Sequence, residues 1–416
     1  MLNHFPHRLS EIAYWLRWQL MGYRDTKPVE AHRAIMDRVA ERFGNSVNVK
    51  DETERLTRRC LAHFLCQLGL RTVRSRCLTE LIAAVIIIPL TVWWTVKSLN
   101  YPALPVKKKP LVRWNKEPAR YQNNPAIYHT PPELSQPEAV FAQDRYLRMD
   151  DWRLIHSIAR LLWKEQKRYS IQLLFKITKE LSWMRYLIEH HPADEVLIDG
   201  EFDCALSIMT LYCHRHGQKL YNVMHGDKFG SAKDAFFEVD RCYCWNEFYI
   251  NQFIRGYASS DFRIYDNPSF IKNPNAGEGR GLGVILPIQL YLPGKRALKA
   301  LCDILNHLAE RNTVSLRAHP AFAQECERLR DHLSPAVIIT DFTQETSRQF
   351  IEKHQIILGT ASTAMLEAVM IGKQTVCIDC PQVASLAAYH FMFTQANCQV
   401  AEMAALEDAL TGLLSA

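Results

Sequence analysis

The chain has 416 residues, of which 48% are hydrophobic and 23% are charged. This length suggests two domains with additional sequence, and the composition excludes long disordered or low-complexity regions. The net charge of +6 is uneven, because residues 1–120 contain 21 Lys and Arg against 10 Asp and Glu. That excess of 11 leaves about −5 for the rest of the chain, so the basic character belongs to the N-terminal region.

An uncharged run of 16 residues, Leu81–Val96, lies within this basic region. A membrane-spanning helix needs about 20 apolar residues, and this run has Pro89 at its centre and basic residues on both sides. Three interpretations stay open: a segment that lies along or dips into a membrane, a span, and a buried core helix. The first agrees with the charge distribution, since basic residues are attracted to anionic lipids. His4–Tyr23 is either a second interfacial helix or an ordinary amphipathic helix.

The cysteines and the basic residues also bear on location and partners. Twelve cysteines occur without CxxC pairs or metal-like spacing, and no secretory signal is recognised, which favours a reduced cytoplasm. Nucleic-acid binding is not expected, because the Lys and Arg residues flank an apolar run and form no patch interleaved with aromatic residues. We therefore expect a location at the cytoplasmic face of a membrane, peripheral or monotopic.

The sequence that follows changes from a proline-rich stretch to alternating elements. Residues 101–137 are predicted to be connecting segments with one short strand at Leu111–Trp114. From Asp150 onward helix and strand patterns alternate, which indicates parallel sheets covered by helices. Asp150 and Asp151 are predicted to cap one helix, and a second is predicted near Ile171–His190. Strands are predicted at Glu195–Ile198, Leu220–Met224 and Arg241–Trp245.

A second alternating series begins after the glycine-rich sequence 273–283. Helices are predicted at Arg296–Arg311 and Ser362–Ile371. Strands are predicted at Leu282–Pro287, Val314–Arg317, Val337–Thr340, Gln355–Leu358 and Thr375–Ile378. The predicted fold class is α/β, with two Rossmann-like domains facing a cleft. Ligands of such sheets bind at the carboxyl ends of the strands.

The segment Ile356–Gly372 places a turn of small residues between a strand and a helix. Backbone N–H groups at such a helix start, together with neighbouring hydroxyls, can bind a phosphate. Glu367 lies one turn into the helix, where its carboxylate can accept hydrogen bonds from a ribose or another sugar. The alternative is an ordinary capped helix. The candidate ligand-binding residues of this segment are Gly359, Thr360, Ser362, Thr363 and Glu367.

Arg317, His319 and Pro320 follow a predicted strand about 40 residues earlier. Proline favours an extended conformation for the preceding histidine. The histidine can donate to a phosphate oxygen and assist a leaving nucleotide, and Arg317 adds a permanent positive charge. Alone, His-Pro is more often a loop feature. Together, the two motifs predict a site for an activated, phosphate-containing ligand.

Two further strand ends carry candidate bases for a reaction in which a sugar hydroxyl loses its proton. Asp199, followed by Gly200 and Glu201, ends one strand, and His225, followed by Gly226, ends the next. A turn aspartate and a loop histidine are the alternatives. Gly226 slightly favours a site, because glycine permits backbone conformations that other residues resist.

The motifs LIDGEFD, NVMHG, LRAHP and GTASTAMLEAVMIG, in this order, resemble GT-B glycosyltransferases of bacterial surface polysaccharide synthesis. The resemblance extends to capsule Kdo transferases, bacterial sialyltransferases and polysialyltransferases, and it covers roughly residues 195–380. It implies a GT-B fold, whereas the helical membrane-associating extension at the N-terminus is expected from the apolar run and the basic residues around it. We expect an extension over residues 1–100 with the apolar segment 81–96, an acceptor domain over 101–272 and a donor domain over 273–416.

The resemblance also implies roles for the motif residues. Asp199 matches the catalytic base, and His319 with Pro320 matches the motif that contacts a CMP phosphate. Thr360, Ser362 and Thr363 match the hydroxyl motif. Ile198 departs from the pattern, since it occupies the first position of the family's acidic pair. His225-Gly226 matches a His-Gly of related capsule and teichoic-acid polymerases, which makes His225 the second candidate base.

The leading functional hypothesis is an inverting, metal-independent transfer of a sugar from its nucleotide to a lipid-linked or polysaccharide acceptor. No cofactor is expected besides the nucleotide-sugar substrate, and a nonulosonic acid or Kdo on CMP is one option. One alternative is a CDP-polyol phosphotransferase of the teichoic-acid polymerase type. Another is a non-catalytic membrane-bound scaffold.

Overall fold

The computed structural model describes residues 29–43, 49–71, 73–101, 107–115, 129–141, 144–166, 170–228, 230–272, 279–285, 295–317, 329–340, 343–379 and 390–415. The described residues form two compact units. The first unit contains those up to 115, together with 130–224 and 230–265. The second contains residue 129, residues 225–228 and those from 266 onward. The possible helix at His4–Tyr23 lies outside the described residues.

Three helices precede the first strand: α1 (Val29–Phe43), α2 (Glu52–Gly69) and α3 (Val73–Ser98). These three helices are the described part of the N-terminal region that was predicted to be helical. Asp51 caps α2, since its side chain accepts a hydrogen bond from Glu54 N (2.7 Å). Helix α2 belongs to the core of the first unit, and its fully buried side chains include Leu56, Cys60 and Leu61.

The apolar run Leu81–Val96 lies within α3, a helix of 26 residues. One face of this helix is attached to the first unit by polar contacts along its length. Near its start, Glu80 accepts a hydrogen bond from Ser170 Oγ (2.6 Å). Near its end, Thr95 Oγ1 accepts one from Trp152 Nε1 (3.0 Å). The two attachments hold the helix lengthwise against the protein.

The first sheet contains six parallel strands in the order β2-β1-β3-β4-β5-β6. Its strands are β1 (Lys109–Asn115), β2 (Glu138–Phe141), β3 (Ala193–Ile198), β4 (Lys219–Val223), β5 (Glu238–Cys244) and β6 (Ser259–Ile264). The helices between them are α4 (Met149–Gln166), α5 (Ile171–His190), α6 (Leu206–Arg215) and α7 (Glu247–Arg255). The strand predicted in a connecting segment, Leu111–Trp114, is therefore an interior strand, because β1 pairs with both β2 and β3.

Asp150 and Asp151 do not cap α4, since the helix begins at Met149 and both aspartates lie in its first turn. Asp151 is buried and accepts hydrogen bonds from Arg185 at 2.9 and 2.6 Å and from Tyr212 Oη at 2.7 Å. A buried carboxylate is tolerated only with such compensation. The pair therefore joins α4 to α5 inside the first unit.

The second sheet also has six parallel strands, in the order β12-β11-β10-β7-β8-β9. Its strands are β7 (Leu282–Ile285), β8 (Val314–Arg317), β9 (Val337–Thr340), β10 (Ile356–Gly359), β11 (Gln374–Asp379) and β12 (Cys398–Glu402). Its helices are α8 (Lys295–Ala309), α9 (Ser347–Lys353), α10 (Thr363–Met370) and α11 (Leu406–Ser415). Within the unit this order is 3-2-1-4-5-6 read from the β9 edge, as in a Rossmann fold. The prediction of two Rossmann-like domains is confirmed.

Candidate functional site

The second sheet reverses its strand order between β7 and β10, which are direct neighbours. Loops from the carboxyl ends of two such strands leave in opposite directions, so a ligand-binding crevice forms at that point. The turn that follows β10 carries Thr360 and Ser362 and leads directly into α10. The predicted segment Gly359–Glu367 thus lies at the switch point of this sheet.

Gly359, the last residue of β10, needs to be glycine for a steric reason. A Cβ at this position would lie 2.7 Å from Met365 Sδ and 3.2 Å from the carbonyl oxygen of Ile285. Real Cβ atoms are rarely so close to other atoms. The absence of a side chain therefore allows the start of α10 to pack against the end of β7.

The N-terminus of α10 presents the hydroxyl groups expected from the sequence. Ser362 is the N-cap and accepts a hydrogen bond from Met365 N (3.3 Å), so the capped-helix interpretation describes this residue correctly. A hydroxyl that accepts such a bond retains its own proton for donation. Thr363 begins the helix, and Thr360 in the preceding turn is buried.

Residues 225–228 follow β4 in the chain but belong to the second unit, whereas spacing in the sequence assigned them to the first domain. Asp227 N donates a hydrogen bond to Thr363 Oγ1 (3.1 Å). Gly226 has φ +76°, and a Cβ there would lie 3.0 Å from the same hydroxyl oxygen. His225 and Gly226 are therefore held beside the start of α10.

A buried hydrogen bond between two side chains fixes this segment. The Asp227 carboxylate pairs with His390 Nδ1, and both side chains are almost fully buried. His390 immediately precedes the short 3₁₀ helix Phe391–Thr394. Sequence reasoning missed this pair, because 163 residues separate its members and no local pattern connects them.

Glu367 lies on the second turn of α10 and is partly buried. Its burial raises the pKa of the carboxyl to about 7, although the positive charge of Arg348 opposes the shift. Arg348 is itself engaged, since it pairs with Glu352 at 2.6 Å and donates to the carbonyl of Ser269 at 2.6 Å. Within the described ranges no group donates a hydrogen bond to the Glu367 carboxylate. Its acceptor capacity is thus available to a ligand.

Of the second predicted donor motif, Arg317 is described by the structure, whereas His319 and Pro320 are not. Arg317 is the last residue of β8, is buried, and is in register with Ile285 at the end of β7. This register places it one strand away from the switch point. His319 and Pro320 lie outside the described residues, so their predicted role stays a prediction.

The first sheet reverses its order between β1 and β3, and Asp199 directly follows β3. The Asp199 carboxylate is partly exposed, and no residue in the described sequence donates a hydrogen bond to it. Ile198, which replaces the first acid of the related motif, is buried as the last residue of the strand. Asp199 is therefore the acid at this strand end that is accessible to a substrate.

Gly200 and Glu201 have structural contacts. Gly200 N donates to Asn222 Oδ1 (2.8 Å), and Asn222 Nδ2 donates to Glu201 Oε2 (3.1 Å). Glu201 is fully buried. The two residues, predicted for the acceptor side, hold the turn that carries Asp199.

Comparisons with known proteins were made for the whole chain. No protein-family model matches it, and no curated protein matches it. The chain is similar to MurG of Acinetobacter baumannii, with a TM-score of 0.39 and 12% identity over 74% of this chain and 90% of that one. It is also similar to the spinosyn rhamnosyltransferase SpnG, with a TM-score of 0.42 and 11% identity over 74% and 92%. A third similar structure is the ADP-heptose lps heptosyltransferase II of E. coli, with a TM-score of 0.34 and 11% identity over 74% of this chain and 98% of that one. Scores below 0.5 carry no argument about activity, so the case for a function rests on the site residues.

Proposed function

We propose that the protein is a GT-B glycosyltransferase that binds a nucleotide-sugar at the β7/β10 switch point. The observation that carries this proposal is Glu367, a partly buried carboxylate without a hydrogen-bond donor within the described ranges, one turn inside α10. A helix start binds phosphate through its N–H groups, and a carboxylate one turn further is suited to ribose hydroxyls. A nucleotide-sugar contains both phosphate and ribose hydroxyl groups.

In this proposal the protein itself supplies the positive charge that stabilises the leaving nucleotide phosphate. Arg317 is permanently charged, and the N-terminus of α10 adds the positive end of a helix dipole. The predicted His319 would complete the set. Metal-independent transfer stays our expectation; in the described part of the chain no group of three His, Cys, Asp or Glu residues could hold a metal ion.

On the acceptor side, Asp199 is the proposed base that takes the proton of the attacking hydroxyl. It is accessible at the β1/β3 switch point, which is where ligands of the first sheet are expected. His225 is the second candidate, and its contacts associate it with the donor residues of the second unit. Direct displacement with Asp199 as base gives inversion at the anomeric carbon, with a CMP-linked nonulosonic acid or Kdo as the favoured donor.

We further propose that the protein works at the cytoplasmic face of the bacterial inner membrane, and that α3 lies along that surface. The part of α3 from Arg76 to Ser98 contains an 18-residue window with a mean hydropathy of 2.0, and 22% of that window is buried. Length and composition would also permit a span, but polar contacts attach one face of α3 to the first unit. The apolar side chains of its other face are exposed: Leu81, Val85, Ile88, Val92, Trp93 and Val96.

A thermal-shift screen tests the proposed donor site. The intact protein is melted with CMP-, UDP- and GDP-sugars and with CDP-glycerol, and a ligand at 100 times its Kd stabilises by about 2.7 kcal/mol. We expect stabilisation by a nucleotide-sugar and a smaller stabilisation in Glu367→Gln. Stabilisation by CDP-glycerol alone would favour polyol-phosphate transfer, and no response to any donor would favour the scaffold.

A further inference from the structure

The first unit contains a cavity of about 270 Å³ between α2, α3, α5 and the turn that follows β3. This volume is close to the lower limit of small-molecule sites, about 300 Å³. Its apolar walls are Leu70, Ile82, Ala83, Ile86, Phe175 and Phe202. None of the residues assigned above to donor binding or proton transfer lines it.

The polar lining of the cavity is predominantly basic. It contains four cationic side chains against two carboxylates, those of Asp203 and Glu180, and the cations are Arg71, Lys176, Lys179 and Lys233. Glu180 pairs with Lys179 at 3.0 Å, and Lys176 donates to Gln67 Oε1 at 3.2 Å. The net excess of two positive charges beside apolar walls suits an anion that carries an apolar tail.

The cavity is continuous with the exposed face of α3. Ile86 lines the cavity and is 38% exposed, and its neighbour Val85 is 67% exposed. Phe202 and Asp203, which also line the cavity, follow Asp199 in the chain after only two residues. An amphiphile in the cavity therefore has an apolar surface for its chains along α3, and the turn after β3 that carries the candidate base also contributes to the cavity lining.

We propose that this cavity binds the phosphodiester headgroup of an anionic membrane lipid, with Lys176 and Lys179 as the principal cationic contacts and α3 beside the acyl chains. The lipid's role as the anchor of the sugar acceptor rests on the proposed glycosyltransferase function. Lipid binding itself depends only on the charges and walls of the cavity.

Calorimetric titration of the full chain with short-chain lipids, below their micelle concentration, tests the proposal. We expect dihexanoylphosphatidylglycerol to bind. Dihexanoylphosphatidylcholine, which has no net negative charge, and glycerol 3-phosphate, which has no acyl chains, should each bind at least about tenfold more weakly. The double substitution Lys176→Gln/Lys179→Gln should weaken phosphatidylglycerol binding about tenfold or more. Lys176→Arg/Lys179→Arg should retain it.

The matched control is Lys164→Gln/Lys219→Gln, which removes two exposed lysines from the same unit. Equal weakening by this control, or equal binding of phosphatidylcholine and phosphatidylglycerol, would overturn the proposal. Lys179→Gln alone replaces the double variant if that does not fold, and unchanged binding in this single variant would count equally against it. Stabilisation of the wild-type chain by nucleotide-sugars is measured in parallel, and its absence would overturn the glycosyltransferase function without affecting the lipid result.

Discussion

Glu201 and Glu367 both lie beyond a parallel strand at a point where its sheet reverses strand order, but their surroundings differ. Glu201 is fully buried and accepts a hydrogen bond from Asn222. Glu367 is partly exposed, has a pKa raised to about 7 by burial, and has no donor within the described ranges. A carboxylate that already has a partner stabilises the fold, whereas one without a partner is available to a ligand. Similar positions in two similar sheets can therefore serve different purposes.

The largest expected effect concerns Asp199, which, like Glu367, accepts no hydrogen bond from any described residue. Asp199→Asn should lower turnover by about 10²–10⁴-fold, the usual contribution of a general base, with unchanged donor affinity. Steady-state kinetics with saturating donor measures it. Asp194→Asn, at the exposed start of the same strand, is the control and should retain activity. Full activity in Asp199→Asn together with loss in His225→Ala would transfer the base role to His225.

The second prediction concerns Glu201, whose carboxylate accepts a hydrogen bond from Asn222. Glu201→Ala removes the carboxylate acceptor of the buried Asn222 amide and leaves it only the weaker contact with Cys242 Sγ (3.6 Å), so the free energy of unfolding should fall by about 1–3 kcal/mol. Urea denaturation measures this change. Glu201→Gln keeps an acceptor oxygen, so its free energy of unfolding should fall by less. An inactive Glu201→Ala protein with wild-type stability would contradict the structural role.

The third prediction uses the raised pKa of Glu367, about 7 in the free protein. Ligand hydroxyls donate to the ionised carboxylate and lower its pKa, so donor binding should release a proton near neutral pH. Affinity should accordingly rise about tenfold between pH 6 and pH 8. Calorimetry at several pH values measures this dependence. It should disappear in Glu367→Gln and persist in Glu402→Gln, an exposed control; a dependence that survives Glu367→Gln would assign the titration to another group.

The smallest effect concerns His214, which, like Glu201, already has hydrogen-bond partners in the fold. Hydrogen bonds to Asp240 (3.0 Å) and Glu52 (2.7 Å) raise its pKa from 6.5 to about 9. The stabilisation is complete below pH 6.5 and is lost as the pH rises through about 9. His214→Gln should lower the free energy of unfolding by about 1 kcal/mol at pH 6, because partial exposure weakens such pairs. At pH 10 the variant and the wild type should unfold at the same urea concentration, and a constant difference would contradict this account.

Local patterns predicted much of the fold. The strand at Val337–Thr340 and the helix at Ile171–His190 have the predicted bounds, since strong apolar periodicity fixes such elements. The strands Glu138–Phe141 and Cys398–Glu402 were not predicted, because they are short and only partly apolar. The strand at Lys109–Asn115 was placed in a connector, since its interior position depends on pairing with β3, about 80 residues further along the chain.

In the candidate site, too, local patterns were predictable and long-range contacts were not. Gly359, Thr363 and Glu367 were predicted because a strand, a turn and a helix follow each other directly in the sequence. The pairing of Asp227 with His390 depends on tertiary structure, which also associates residues 225–228 with the second unit. The cavity beside α3 escaped detection for the same reason, since its lining comes from several separate elements.

Helix α2 has a practical consequence for producing the protein. Its buried side chains form a core with the neighbouring helices α4 and α6, and Arg59 donates to the carbonyl of Tyr257 at 2.9 Å. Removing the first 100 residues to obtain a soluble enzyme would expose that core, and the shortened chain should aggregate. Polar replacements on the outer face of α3, such as Val85→Gln and Ile88→Gln, leave the core intact. They offer the better route to detergent-free preparations.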